Sequence, residues 1–311
     1  MSILSTIMDK KACGGSEVGI NTGKLGCLQL FGQPTHLVAI KKGFIIPAET
    51  DFTLAYVEDL VQRGIMIPLT DASTFEDVSA DDTYTTDSAG VKRLDLQGLP
   101  EYKMTFEEGN EFYRELSKIR SYKTYDFAII DDENNWMLAK TSAGDYKGFT
   151  AGHVTPSRRM NKVKGGTSES KSVLVQFTDR IQFDTNYGIM HAEYIEFTAQ
   201  EIPAVNGVAL SFVEIPTAGT TIKVKAVLRS DMFSVVEGLL VPNFLVTVAG
   251  ATKVISAIAE TTPGEYTLTV PAMTVGQMVV VDLYDSAKNV HVTVSESVLY
   301  RSEPVGEAVI V

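Results

Sequence analysis

From Gly207 onward one device recurs. The runs TTIKVKAVL, FLVTVAG, TKVISAIAE, EYTLTV, MVVVDLYD and VHVTVSESVLY place β-branched and apolar residues between polar ones, with turn residues separating the runs. No helical period is present, so this part of the chain has to form sheet, with one face of each strand turned to a core. About seven short strands in about 100 residues, punctuated by turns, are the pattern of two sheets packed face to face. The texture changes at 200–206, around Pro203 and Gly207. Two domains are therefore expected, 1–202 and 203–311, the second a β-sandwich.

Residues 1–202 mix periods. Strand-like runs LQLFG and HLVAIKKGFII flank Gln33-Pro34-Thr35. Asp51 is the expected cap of a short helix carrying Leu54, Val57, Leu60 and Val61 on one face, with Gly64 where a left-handed residue ends it. IMIPL follows as a strand. Phe106, Phe112, Tyr113, Leu116 and Ile119 keep mostly to helical spacing, which predicts a helix from Thr105 to Tyr122 with Thr105 as N-cap and Glu107 and Glu108 in its first turn. Further strands are expected at Tyr125 to Ile130, Trp136 to Ala139, Gly148 to Pro156, Ser172 to Thr178 and Ala192 to Thr198. The fold class that results is mainly β, with an α+β first domain in which a helix flanks a sandwich.

Between Asp71 and Asp95 the composition turns to Asp, Ser and Thr. A polar connection of this length exceeds the 4–6 residues or so of an ordinary link, so it is read as either a long hairpin arm that contacts another subunit or a mobile, solvated loop. Phe75, Val78 and Tyr84 stand isolated in it with no core of their own, and are the expected contacts with another subunit. Asp77, Asp81, Asp82 and Asp87 invite a calcium reading, but their spacing matches no known loop pattern.

Composition excludes several functions. A formal charge of −12 and no basic run longer than Arg158-Arg159 leave no grip for nucleic acid. Cys13 and Cys27 have no second pair to complete a zinc site or disulfide framework and read as reduced thiols. His36, His153, His191 and His291 share no ligand spacing. FTAGHV, ending the approach to His153, is similar to the histidine strand of trypsin-like proteases. Its nearest serine, at Gly-Gly-Thr-Ser 165–168, follows too soon to meet the imidazole across a cleft. Asp131, Glu133 and Asn135 alternate as in a calcium loop, but Trp136 stands where that loop turns on glycine. No phosphate-binding loop or dinucleotide fingerprint is present. The expectation is no catalytic residue, no metal and no cofactor. MSILSTIMDKKACGG puts its apolar residues before its lysines, unlike a signal peptide, and no apolar run approaches membrane-spanning length.

TTPGEYTLTVPAMTVGQMVVVDLYD resembles the cysteine-free immunoglobulin-like modules of bacteria and phages, in which a tyrosine after a Pro-Gly turn starts a late strand; Tyr266 would hold that corner. The order of parts is a Gly-rich N-terminal arm, the polar 71–95 stretch, the helix, YDFAIIDDENN, GFTAGHVTPS, SVLVQFTDRIQF and the C-terminal module. It resembles virion structural proteins of tailed bacteriophages, especially tail-tube proteins that carry such a module, although the first domain is longer than a minimal tube domain. The resemblance implies a sandwich that closes rings through intersubunit sheets, with long loops gripping the next ring. Its partners would be copies of itself and other virion proteins, and its place the virion, after synthesis in the host cytoplasm. The alternatives are a head decoration protein whose outward module touches host-surface glycans, and an adhesin or an enzyme without a readable site.

Overall fold

A computed structural model describes residues 3–8, 31–120, 123–162, 168–295 and 298–311. The chain is mainly β, 45% strand and 12% helix. It forms two compact units, Met1–Leu60 with Gly64–Ile202, and Val61–Arg63 with Pro203–Val311. Cys13, Cys27 and the Gly-rich arm lie outside the described residues.

The first unit runs α1 (Leu4–Ile7), β1 (Pro34–Lys41), α2 (Leu54–Gln62), β2 (Met66–Pro68), β3 (Thr74–Asp77), β4 (Thr83–Thr86), β5 (Lys92–Leu96), β6 (Glu101–Phe106), α3 (Asn110–Leu116), β7 (Tyr125–Asp131), β8 (Trp136–Lys140), β9 (Tyr146–Lys147), β10 (Ala151–Pro156), β11 (Lys171–Phe177), α4 (Arg180–Asp184) and β12 (Tyr187–Met190). One sheet has the order β12-β8-β7-β1-β2, with β9 beside β8; a second has the order β10-β11-β6-β3; β4 and β5 pair only with each other. The core lies between the two larger sheets, where Leu37, Ala39, Phe127 and Ile129 of the first meet Met104, Phe106, Val173, Val175 and Phe177 of the second. Each such side chain contributes roughly 1.5–3 kcal/mol on burial.

Along β1 and β7 both faces are buried, which is why LVAI and FAII read as continuous apolar runs and not as alternation. On β8 Trp136 is fully buried, and its ring meets Phe52 edge-on at 5.4 Å, with Phe197 at 6.1 Å.

Three expectations for this unit fail for identifiable reasons. The helix predicted from Thr105 is a strand followed by a shorter helix: Thr105 lies in β6, opposite Ser172 on one side and Thr74 on the other, and Gly109 precedes α3. EYKMTF alternates, burying Met104 and Phe106, and two neighbouring strands satisfy its backbone, so Glu107 and Glu108 sit in an exposed connection and not in a first helical turn. Thr53, not Asp51, caps α2, its Oγ1 accepting from Tyr56 N at 3.3 Å; Gly64 does adopt φ +67 beyond it. Ala192 to Thr198 forms no strand. It begins as a 3-10 turn, Ala192–Tyr194, and the pairing at this edge is made by Tyr187–Met190 against β8.

The second unit runs β13 (Val205–Phe212), β14 (Thr221–Leu228), β15 (Phe244–Val248), β16 (Ala251–Lys253), β17 (Ala257–Thr262), β18 (Glu265–Thr269), β19 (Met278–Leu283), β20 (Thr293–Ser295), β21 (Val298–Ser302) and β22 (Val305–Ala308). The sheets are β17-β18-β14-β13-β21-β20 and β16-β15-β19-β22. Lettered in chain order with β20 and β21 set aside, these are the ABED and GFC sheets of the immunoglobulin topology, with β16 added beside C. The core between them holds Val208, Ile222, Val224 and Leu268 from one sheet and Val246, Val279 and Val281 from the other. The extra pair β20 and β21 is inserted between F and G and extends the first sheet, β21 lying parallel to β13. That insertion accounts for more strands than the seven or so expected.

Tyr266 is buried and starts a strand directly after the Pro263-Gly264 turn, as read from the sequence. It lies on β18, strand E, whereas the immunoglobulin tyrosine corner is on strand F. Its hydroxyl donates to the Val236 carbonyl at 2.7 Å and accepts from Leu239 N at 3.3 Å, tying down the connection between β14 and β15. Burial of the phenol raises its pKa far above the ordinary value.

Candidate assembly surface

The stretch 71–98 is only partly the arm that composition suggests. Thr74–Asp77 forms β3 and pairs with β6 as the outermost strand of the second sheet. Phe75 is thereby half-buried, its ring edge-on to Tyr102 at 5.0 Å against the core. It is a part of the fold, contrary to the expectation of an isolated side chain on an arm.

Beyond β3 the chain leaves the sheet and returns as the β4–β5 hairpin. Its root is closed tightly. A Cβ on Gly98 would fall 1.8 Å from the Ala80 carbonyl oxygen, so the two chain segments approach there only because one residue is glycine. Asp82 Oδ1 accepts from Gly98 N at 2.8 Å and from Arg180 Nη1 at 2.7 Å, which fastens the root to α4; these donors hold the Asp82 carboxyl below its ordinary pKa. The tip is closed by Asp87, whose Oδ1 accepts from Ala89 N and Val91 N, each at 3.0 Å, while Gly90 supplies φ +81.

Between root and tip, every residue of β4 and β5 is exposed. Residues directly opposite in a pair share a face and successive residues alternate. Tyr84 stands opposite Leu94 and Thr86 opposite Lys92 on one face, with Arg93 on the other; the ladder is bulged between Thr83 and Tyr84, and Leu96 stands opposite Thr83 beyond the bulge. One face thus carries the apolar pair Tyr84 and Leu94, with Leu96 beyond the bulge, and nothing among the described residues covers them: Tyr84, Leu94 and Leu96 are 56%, 52% and 67% exposed. A two-stranded hairpin is marginal in water on its own. Val78, at the end of β3, is exposed as well. Sequence reasoning named Val78 and Tyr84 but missed Leu94 and Leu96; the alternation in KRLDL was the available signal.

The sequence decoys are occupied otherwise. Asp131 is buried, and its two oxygens accept from Glu133 N, Asn135 N, Gly32 N and Asn135 Nδ2 at 2.7–3.0 Å. Asn134, at φ +65, donates to the Phe197 carbonyl and accepts from Ala199 N, both at 2.9 Å, and Asn135 Oδ1 accepts from Ala192 N. The turn that looks like half a calcium loop is a clamp on 192–199. His153 is exposed on β10 and bonds Thr155 Oγ1 at 2.5 Å. His36 is buried against Asp71, and His291 Nδ1 lies 2.7 Å from Asp282. Ser302 also bonds Asp282 by donating to it, so the carboxylate stands between serine and histidine and this serine is not set against the imidazole. Among the described residues no three His, Cys, Asp or Glu side chains gather around a point that would suit a metal ion, and no helix is long and apolar enough to cross a membrane.

The second unit presents a further exposed aromatic. Phe233 is 87% exposed on a turn that Asp231 closes by accepting from Phe233 N and Ser234 N. Comparison with known proteins finds no matching family model and no similar curated protein.

Proposed function

We propose that this chain is a structural subunit of a bacteriophage virion, assembling with copies of itself into a tail tube or a closely related ring, and that it performs no catalysis. The observation that carries the reading is the three exposed apolar side chains Tyr84, Leu94 and Leu96 on a hairpin with a fastened root and a closed tip. A flexible polar loop would need no such scaffold, and an apolar stripe held away from every core gains free energy only when a partner covers it. Covering the three side chains, each already partly buried, contributes on the order of 1 kcal/mol each, a gain repeated at every contact of a ring. The free edge of β3 beside the hairpin root adds unpaired backbone groups suited to an intersubunit sheet.

Electron microscopy of the purified chain tests this. Rings or tubes are expected; discrete monomers that coat capsids would move the reading to head decoration, and monomers inert toward virion components would end it.

A further inference from the structure

Lys171, the first residue of β11, is 6% exposed. Its Nζ donates to the Tyr113 carbonyl at 2.9 Å and to Ser117 Oγ, both on the α3 side. Among the described residues no carboxylate lies within ion-pair distance of it. An ammonium has three protons to donate, and here two are taken by neutral oxygens. Burying a cation with neutral partners alone is costly, and burial, together with the charge of Arg120, lowers the pKa of Lys171.

A groove of about 450 Å³ lies over this residue, lined by Asn110, Tyr113, Arg114, Ser117, Arg159 and Lys171. Its lining holds three cations, an amide and a serine hydroxyl, and no acid. Arg114 is paired with Glu111 at 3.0 Å and Arg159 with Glu169 at 2.6 Å, so their charges are partly spent, and that of Lys171 is not.

We infer that this groove is a receptor for one oxyanion, a phosphoryl or carboxylate group, bound at Lys171 Nζ with Arg114 and Arg159 at the rim. Such a group supplies the acceptor that Lys171 lacks and forms the charge-assisted bonds that guanidinium and ammonium make best. Two sources carry that chemistry. One is a free small anion. The other, which rests on the assembly reading above, is an acidic side chain of a second copy: Asp81 and Asp95 of the 71–98 stretch make no ion pair among the described residues, and a chain of net charge −12 offers few other places for them to dock.

The test is calorimetric titration of inorganic phosphate into the full chain at low ionic strength, where screening is least; it requires no assembly, so it fails or succeeds independently of the proposed function. One saturable site per chain is expected, weakened about tenfold by Lys171→Met and about threefold by Arg114→Gln. Lys103→Gln, which breaks an ion pair with Glu76 outside the groove, keeps the wild-type affinity. No saturable binding, or equal affinity in all variants, overturns the site. Should Lys171→Met fail to fold, unchanged affinity in both Arg114→Gln and Ser117→Ala overturns it. Sedimentation in saturating phosphate then separates the sources: assemblies that dissociate identify a second copy's side chain as the occupant, and assemblies that persist with phosphate bound identify a free anion.

Discussion

Two acidic stretches of the first unit, DDENN at 131–135 and the Asp-rich segment 71–98, look alike in composition and both suggest calcium. In the fold they do opposite things. Asp131 is buried and spends both oxygens on N–H donors, so its turn binds distant backbone to the sheet. Asp82 and Asp87 lie at the surface and shape a hairpin that carries apolar residues away from any core. Acidic side chains near backbone N–H groups are hydrogen-bond acceptors before they are metal ligands. What separates the two is whether the apolar residues nearby are covered.

The largest effect separates the two directly. Asp131→Ala leaves four N–H donors facing a void, and stability of the first unit should fall by on the order of 3 kcal/mol or more. Denaturant titration followed by Trp136 fluorescence reads this, since the chain has one tryptophan and it lies beside the clamp. An equal loss on Asp87→Ala, at the exposed hairpin tip, would erase the distinction. Next in size is Tyr266→Phe, which removes the hydroxyl bonds to Val236 and Leu239; a loss of about 1–2 kcal/mol is expected in the second unit, with the Trp136 transition in place. A Trp136 transition that moved as far would show that the effect is not confined there.

A smaller effect concerns the base of the 71–98 stretch. Burial lowers the pKa of His36 below its ordinary 6.5, and the pairing with Asp71, which acts in the opposite direction, is outweighed. The unfolded chain therefore binds the proton more readily. Stability contributed by neutral His36 is present above about pH 6.5 and is lost as pH falls through the lower folded value. His36→Gln should flatten the dependence of the Trp136 transition between pH 7 and 5 or so; an unaltered slope would assign it to other groups.

How much of this was legible in the sequence follows from where the information sits. The second unit was readable because period-2 alternation in runs such as TIKVKAV states both strand and buried face locally. The central strands β1 and β7 were readable as unbroken apolar runs. Thr105 and Phe106 were misread as helix because Phe106, Phe112, Tyr113, Leu116 and Ile119 fall near helical spacing by chance across a strand, a connection and a helix. The partners that make β6 a strand, Ser172 and Thr74, are distant in the chain. Ala192–Thr198 has strand-like composition, but side chains of Asn134 and Asn135 take up backbone groups within and just beyond it. Leu94 and Leu96 were overlooked because the surrounding Asp and Thr gave the whole segment the texture of a loop.

The central claim, that the uncovered face of the β4–β5 hairpin is an assembly surface and not a part of either core, is tested most directly by Tyr84→Ser/Leu94→Ser/Leu96→Ser, compared with the unaltered chain by sedimentation velocity. Substitutions at exposed positions change stability by no more than about 0.5 kcal/mol each, so the Trp136 unfolding transition should shift by no more than about 1.5 kcal/mol in the triple variant. The predicted result is that the unaltered chain sediments as rings or larger species and the triple variant as a folded monomer. Identical large species from both, or a variant that no longer folds, would contradict the account.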